Sequence, residues 1–217
     1  MSILPQQQCN AGIERYGASL SQLERFDTAV DRAFEPLRRR RRWNQLFYSL
    51  SALADHSLIW ELLAALLALT PSRRSRALRA AISLGIESIL VNVIVKSLFS
   101  RGRPIDKSYQ HPHHLRYPRT SSFPSGHATA AFAAATLLPG RALGRCVLYP
   151  LATLVALSRI HVRIHHASDV LGGALIGLGF AGLVRQLWPI STSSDPCKGT
   201  SGHHSFLNRR QQPVDCL

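Results

Sequence analysis

The sequence predicts an all-α protein, an integral-membrane helical bundle of about five to six helices preceded by an amphipathic N-terminal helix. Long apolar stretches alternate with short arginine-rich connectors, and both ends of the 217-residue chain are polar. Several apolar stretches approach the length that crosses about 30 Å of hydrocarbon at 1.5 Å per residue. We therefore divide the chain into a basic N-terminal segment (1–42), a membrane domain (43–189) and a tail (190–217) that we expect to be disordered.

The net charge of +14 limits the classes of partner. Contacts from Lys and Arg to phosphate dominate nucleic-acid binding, but the chain has no helix-turn-helix, zinc-finger spacing or basic–aromatic repeat. We therefore expect no nucleic-acid partner. In a membrane protein the same charge favours membrane lipids with anionic headgroups and an anionic substrate. The four cysteines are far apart and form no CxxC pair, which predicts neither a zinc site nor a disulfide framework.

The N-terminal segment divides into two parts. Residues 1–18 show no apolar pattern, and we expect them to be mobile. Over residues 20–37 apolar side chains recur at helical spacing, which is typical of a helix lying on a membrane surface. The arginine run 38–42 then precedes Trp43, and basic residues beside aromatic ones indicate the headgroup boundary.

Five apolar helices are expected after this boundary. Their predicted ranges are 43–70, 77–99, 127–138, 142–157 and 170–188. Arginines between the first two helices predict that this end lies in the cytoplasm, with the opposite helix ends on the outer face of the cell membrane. They are Arg73, Arg74, Arg76 and Arg79. The run 38–42 agrees with this multi-pass orientation only if the chain forms a hairpin or lies on the surface near Asp55.

Three polar motifs lie at the ends of these helices, where polar side chains are unfavourable unless they have a function. They contain Lys96 and Arg103; Ser125, Gly126 and His127; and Arg159, His165 and Asp169. Because successive crossing helices reverse direction, all three motifs are expected on one membrane face.

Each motif has a structural explanation and a chemical one. A cation at a helix end often only extends to the interface, and a Ser-Gly pair can be an ordinary N-cap. A Ser-Gly pair can also offer N–H groups to a phosphate oxyanion. A histidine four residues from an aspartate can be a buried pair, or a nucleophile oriented by a carboxylate.

Together the motifs resemble the three-part signature of the type 2 phosphatidic acid phosphatase superfamily, also called the lipid phosphate phosphatases. The sequence reads KSLFSRGRP, PSGH and SRIHVRIHHASD, with every defining position filled, within about residues 58–188. The resemblance implies a membrane phosphatase of lipid phosphates, built as a helical bundle, with no metal and no cofactor. It does not extend to residues 1–42 or to the tail.

The resemblance also implies a role for each motif residue. His165 would attack phosphorus and form a phosphohistidine, while Asp169 would orient its imidazole. His127 would protonate the leaving group and then activate water. The non-bridging oxygens would be held by Lys96, Arg103, Ser125, Gly126 and Arg159. Fixed positive charge suits a phosphoryl group whose negative charge spreads over its equatorial oxygens.

Other functions stay open at this point. His161 and His165 are four residues apart, a metal-ligand spacing on a helix, which would fit a membrane metal-binding protein or a metallohydrolase. The neighbouring cations Lys96, Arg103 and Arg159 would repel a metal ion, which argues against a metal site. A non-catalytic membrane adaptor is the third candidate. For a phosphatase, the candidate substrates are polyprenyl phosphates or diphosphates, then phosphatidic acid, then phosphatidylglycerophosphate, with the loop 105–122 as the predicted headgroup reader.

Overall fold

The structure, a computed structural model, describes residues 4–54, 58–104, 120–140 and 142–190. Within these ranges the chain is helical and contains no strand, which confirms the predicted all-α class. Its helices are α1 (Leu4–Arg38), α2 (Arg41–Leu53), α3 (Leu58–Ala68), α4 (Arg74–Ile89), α5 (Gly126–Leu137), α6 (Ala142–His161) and α7 (Ala167–Leu187). The tail predicted to be disordered lies outside the described residues.

Two described helical segments are long and apolar enough to cross a membrane. They are Pro71–Leu98, which contains α4, and Ala167–Leu187, which is α7. The single helix predicted over 43–70 is wrong, because α2 and α3 meet at an angle of 63°. The helix α2 ends at Leu53 and α3 begins at Leu58, and the sequence between them contains an Asp-His-Ser run that disfavours a continuous apolar crossing.

The N-terminal helix α1 is longer than predicted. It begins at Leu4, ahead of the range 20–37 that the apolar spacing predicted to be helical. Pro5 falls in the first turn, where its missing N–H needs no partner, and the glutamines that follow are good helix formers.

The C-terminal end of α1 is fixed to the end of α6. Arg38 is buried, and its guanidinium donates to the carbonyl oxygens of Ile160 at 3.0 Å and His161 at 2.9 Å. Arg38 also pairs with Asp31 at 2.5 Å. Because α6 leads directly into the third motif, these bonds place α1 beside that motif.

The centre of the bundle is α5, which packs against α4, α6 and α7. Most of its buried side chains are alanines, so neighbouring backbones approach closely. A Cβ atom built on Gly173 of α7 would lie 2.5 Å from the Ser125 carbonyl oxygen, and one on Gly177 would overlap that of Thr129. Large apolar side chains point outward instead, as expected where lipid surrounds the helices; they include Leu62, Leu66, Ile86, Ile89, Leu175 and Leu183.

The helix predicted over 77–99 does not stay regular to its end. After α4 the chain forms a π-helical turn at Leu90–Ile94 and a 3₁₀ turn at Val95–Leu98. Single-turn π segments within helices are frequent at functional sites. Here the irregular turns carry Lys96 to the end of the segment, next to the start of α5.

Candidate active site

The three polar motifs meet at one end of the bundle. The first motif reaches the third where Arg103 Nη1 lies 3.4 Å from His165 Nε2. The second motif contacts the third where the Ser125 N–H donates to the Asp169 carbonyl oxygen at 3.1 Å. The juxtaposition expected from reversing helices is therefore present in the structure.

Lys96 connects the first motif to the second. Its Nζ donates to Asn92 Oδ1 at 2.8 Å. A Cβ atom built on Gly126 would lie 3.7 Å from Lys96 Nζ and 3.2 Å from Asn92 Oδ1, so the ammonium lies against the first residue of α5. A lysine beside a helix N-terminus is a favourable environment for an anion.

The second motif forms the start of α5. Ser125 is the N-cap and is fully buried, and its Oγ accepts from the Ala128 N–H at 3.5 Å. Gly126 and His127 follow in the first turn, both half-buried. The N-cap explanation and the phosphate-binding explanation are compatible, because the first N–H groups of a helix have no acceptor within the helix.

The surroundings of His165 determine its tautomer. This side chain lies in the turn between α6 and α7 and is only 3% exposed. Its Nδ1 is 2.7 Å from the Ser122 carbonyl oxygen, which only accepts, so Nδ1 carries the proton. Its Nε2 faces the Arg103 guanidinium, which only donates, so Nε2 presents a lone pair. The unprotonated nitrogen is therefore the one directed toward the cation.

Asp169, the predicted orienting group, reaches His165 through Ser122. Asp169 Oδ2 is 3.9 Å from His165 Nδ1, which is beyond hydrogen-bond distance. It accepts instead from the Ser122 hydroxyl and, at 2.8 Å, from the His166 N–H. Ser122 thus holds the imidazole with its carbonyl oxygen and the carboxylate with its hydroxyl. It ends the predicted headgroup loop 105–122 but is not among the predicted catalytic or phosphate-binding residues, and its position just before PSGH is the signal that could have singled it out.

Two further residues outside the prediction complete this network. Arg101 donates to Asp169 Oδ1 at 2.5 Å and to Asp27 Oδ2 at 2.6 Å. Asp27 also accepts from the N–H and the hydroxyl of Ser168, at 2.8 and 2.7 Å. Arg101 is visible in the sequence as an extra cation between Lys96 and Arg103. Nothing in the sequence distinguishes Asp27, which is buried although it belongs to the amphipathic helix α1.

Arg103 is held in place by backbone carbonyl oxygens. Its guanidinium donates to those of Ile164 at 3.0 Å, Ser121 at 3.1 Å and Thr120 at 3.2 Å. Burial lowers the pKa of Arg103, and the charge of Asp169 opposes that shift. These fixed contacts direct the guanidinium at the lone pair of His165.

Arg159 is a second cation near the histidine, and it is buried. It is 2% exposed, and its Nη1 donates to the hydroxyl of Ser51 on α2. Burial lowers the pKa of His165 to about 3; the charges of Arg159 and Arg103 act in the same direction and that of Asp169 opposes them. The imidazole is consequently neutral at pH 7, the form that a nucleophile requires.

His161 and His165 do not form the metal-ligand pair that their spacing allows. The helix α6 ends at His161, so the two side chains do not share a helical face. His161 stacks on Phe47 with ring centroids 4.5 Å apart, and its Nε2 is 3.0 Å from Asn44 Oδ1. In the part of the chain that the structure describes, no group of three His, Cys, Asp or Glu side chains could hold a metal ion.

The predicted headgroup loop is described only at its end. Thr120 and Ser121 contact Arg103, and Ser122 contacts His165. The remainder, residues 105–119, lies outside the described residues, so its predicted part in substrate recognition stays a prediction.

The fold and the site together define a class: a helical membrane protein with a cationic site around a neutral, buried histidine. A family profile described as the PAP2 superfamily matches residues 76–193. This match covers more than half of the chain, so the chain belongs to the PAP2 superfamily. It is a phosphatase, a hydrolase of phosphate esters.

The chain is also similar in sequence and structure to individual known proteins. A decaprenylphosphoryl-5-phosphoribose phosphatase of Mycobacterium tuberculosis is 36% identical over 138 residues, which are 62% of this chain and 75% of that protein. A transmembrane PAP2-type phosphatidylglycerolphosphate phosphatase from Bacillus subtilis has a similar structure, with a TM-score of 0.61 and 24% identity over 76% of this chain and 86% of that one. LpxE of Aquifex aeolicus gives a TM-score of 0.57 and 25% identity over 71% and 93%. The predicted helical membrane fold is confirmed.

Proposed function

We propose that this phosphatase acts on a polyprenyl phosphate or diphosphate at the outer face of the cell membrane, through a phosphohistidine on His165. The observation that carries the mechanism is the His165 tautomer, with Nδ1–H on the Ser122 carbonyl oxygen and the Nε2 lone pair facing Arg103. The name of the Mycobacterium tuberculosis relative, a decaprenylphosphoryl-5-phosphoribose phosphatase, supports a polyprenyl-linked substrate.

In the first step, the Nε2 lone pair of His165 attacks phosphorus as the bond from phosphorus to the leaving oxygen breaks. His127, as an imidazolium, gives its proton to that oxygen. The products are a phosphohistidine and the protonated leaving group, which is the alcohol from a monophosphate or the polyprenyl monophosphate from a diphosphate. Ser122 and Asp169 stabilise the positive charge that develops on the His165 ring, the carbonyl oxygen directly and the carboxylate from 3.9 Å.

In the second step, neutral His127 takes a proton from water, and the water oxygen attacks phosphorus. The bond between nitrogen and phosphorus breaks, which releases inorganic phosphate and restores the His165 lone pair. His127 ends as the imidazolium with which the cycle began, so the protons balance over one turnover.

The surrounding positive charge holds the transferring group. Lys96, Arg103 and Arg159, with the Ser125 hydroxyl and the Gly126 N–H, would bind the non-bridging oxygens of the phosphoryl group. Fixed donors stabilise a loose phosphoryl-transfer transition state without reorganising during the reaction. The anchoring of Arg103 by three carbonyl oxygens supports this role.

The test is phosphate release by the detergent-purified protein in excess chelator. The substrate panel contains decaprenyl phosphate, undecaprenyl diphosphate, phosphatidic acid and phosphatidylglycerophosphate. We expect release from the polyprenyl substrates, abolished in His165→Ala and retained in His166→Ala. The second variant is a matched control, because it removes an adjacent imidazole but keeps the backbone N–H that bonds Asp169.

The intermediate can be trapped. His127→Ala should turn over slowly and, with a good leaving group, accumulate a phosphoenzyme that is labile in acid and stable in alkali. Substantial release by folded His165→Ala would contradict the nucleophile. Release only with added metal would favour a metallohydrolase, and no release from any substrate would favour an adaptor.

A further inference from the structure

A cavity lined by four arginines lies at the end of the bundle opposite the active site. Its volume is about 320 Å³, and its cationic lining consists of Arg76, Arg79, Arg145 and Arg185. Asp169 and Arg185 lie near opposite ends of α7, about 24 Å apart at 1.5 Å per residue. The cavity is therefore separate from the site described above.

These arginines have no counter-charge among the described residues, where none of them lies within salt-bridge distance of an Asp or Glu carboxylate. Arg79 is only 7% exposed, and its buried Nε has no hydrogen-bond partner, while its Nη1 donates to the Trp188 carbonyl oxygen at 2.8 Å. Buried charge is unfavourable unless it is paired. An anion in the cavity would pair it.

The helix dipoles add to this excess of positive charge. Arg76 is in the first turn of α4 and Arg79 in the second, while Arg145 is in the first turn of α6, and neither first turn contains an acidic residue. A helix N-terminus favours anions and disfavours cations. Arg185 is in the last turn of α7, where the dipole alone explains a cation. The two first-turn positions, Arg76 and Arg145, are therefore unfavourable for a cation unless an anion lies near them.

The absence of a side chain at Gly140 makes room for one of these arginines. A Cβ atom built on Gly140 would overlap the Arg76 guanidinium, so that side chain lies directly against the backbone there. Leu137 and Pro139 line the cavity beside the arginines. The site thus combines guanidinium forks, which match phosphate geometry, with an apolar wall that an acyl chain could contact.

We infer that this cavity binds a phosphate-type anion, supplied either as the headgroup of an anionic phospholipid or as inorganic phosphate. Basic pockets between membrane helices are suited to anionic headgroups. If Pro71–Leu98 and α7 cross the membrane, the cavity lies at the headgroup level of the leaflet opposite the active site.

The experiment measures the melting temperature of the detergent-purified full chain against increasing ligand. The probes are inorganic phosphate, phosphatidylglycerol in mixed micelles, and phosphatidylcholine as the headgroup control without net charge. We expect stabilisation by one anionic probe and not by phosphatidylcholine. If phosphatidylglycerol acts and inorganic phosphate does not, the ligand is the lipid; the reverse identifies the free anion.

Variants locate the effect. Arg79→Gln and Arg185→Gln should raise the apparent Kd for the active probe at least about tenfold. Arg73→Gln, an exposed arginine at the same end but outside the cavity, should not change it. Because Arg79→Gln alters a buried group, two further variants test the cavity. Arg145→Gln changes an exposed side chain. Gly140→Ala would displace the Arg76 guanidinium while every charge is kept.

Arg103→Gln separates this cavity from the active site, which also binds phosphate in our proposal. Stabilisation that disappears in Arg103→Gln but persists in Arg185→Gln would overturn the inference. So would equal binding by all variants, or no stabilisation of the wild-type protein by either anionic probe.

Discussion

At the scale of single residues, the site depends on one imidazole held between an acceptor and a donor. The Ser122 carbonyl oxygen holds Nδ1–H, and the Arg103 guanidinium faces Nε2. This arrangement leaves Nε2 unprotonated without a direct bond between His165 and Asp169. In the proposed mechanism it also places a positive charge where a phosphoryl oxygen would bind, and that charge adds to the burial that keeps His165 neutral.

Replacing His165 by Gln should make the fold less sensitive to acid. Folding lowers the pKa of His165 from 6.5 to about 3, so between these values the unfolded chain binds a proton that the folded protein does not. The free energy of unfolding therefore falls as the pH drops below 6.5, by at most about 1.4 kcal/mol per pH unit. Glutamine takes up no proton in this range.

The measurement is the melting temperature in detergent at pH 7 and pH 5. We expect it to fall further in the wild-type protein than in His165→Gln, because only the wild-type chain gains that proton on unfolding. His166→Gln is the control and should behave as the wild type does. An equal fall in all three proteins would mean that His165 is not held neutral by the fold.

At the scale of helices, two contacts position the site. The first joins α1 to the active end, where Asp27 binds Arg101 and Ser168. The second is the close approach of α5 and α7 at Gly173 and Gly177. One is electrostatic and the other steric, so their loss should have different consequences.

Asp27→Asn should lower kcat about tenfold with little change in KM. The amide cannot balance the charge of Arg101, so the bond from Arg101 to Asp169 loses its orientation while Lys96, Arg103 and Arg159 stay in place. A charged hydrogen bond contributes about 1.5–3 kcal/mol, and 1.36 kcal/mol corresponds to tenfold in rate. The measurement is the substrate dependence of initial phosphate release.

Asp31→Asn is the matched control for that change. Asp31 is one turn further along α1 and pairs with Arg38 and Arg163 instead of Arg101. The Asp31→Asn substitution should lower the stability of the fold more than it lowers kcat. If both variants change kcat equally, Asp27 acts through the stability of α1 and not on the active site.

Gly177→Ala should destabilise the bundle by about 1–3 kcal/mol, the range expected for overpacking. The added methyl group would overlap the Thr129 carbonyl oxygen of α5, and neither backbone can move without separating the helices. Gly179→Ala is the control, because nothing lies within 4 Å of a Cβ atom built there. Melting temperatures of the two variants test this; similar values would show that α5 and α7 are not in tight contact at Gly177.

At the scale of the whole molecule, the bundle has two cationic ends with different characters. One end combines Lys96, Arg103 and Arg159 with the histidines. The other combines arginines with neither histidine nor carboxylate among the described residues that line it. The proposed orientation, with the active site outward, assigns these ends to opposite membrane faces.

Cysteine labelling tests this orientation. In a chain whose native cysteines are replaced, Ser100→Cys should react with a membrane-impermeant maleimide in intact cells, and Ser72→Cys only after permeabilisation. Both positions are exposed, and they lie at opposite ends of the Pro71–Leu98 segment. Retained phosphatase activity confirms that each variant is folded. The opposite labelling pattern would reverse the assigned faces.

Several features were predictable from the sequence because they depend on residue type and spacing. Apolar runs predicted the membrane helices, and the three motifs identified where polar groups stand at their ends. The residues that resemble the family signature led to the superfamily that the comparisons confirm. The start of α5 at Gly126 also follows from local chemistry, since a serine followed by glycine is a favourable helix N-terminus.

Other features were decided only by the tertiary structure. The break between α2 and α3, the contact of Asp27 with Arg101, and the choice of Ser122 as the partner of His165 Nδ1 all fall in this group. The bonded residues of the last two pairs are 74 and 43 positions apart in the chain. Hydrogen bonds require atoms within about 3 Å and at suitable angles. Local spacing selects which side chains a helix end presents, but only the packing of distant helices determines which of their atoms meet.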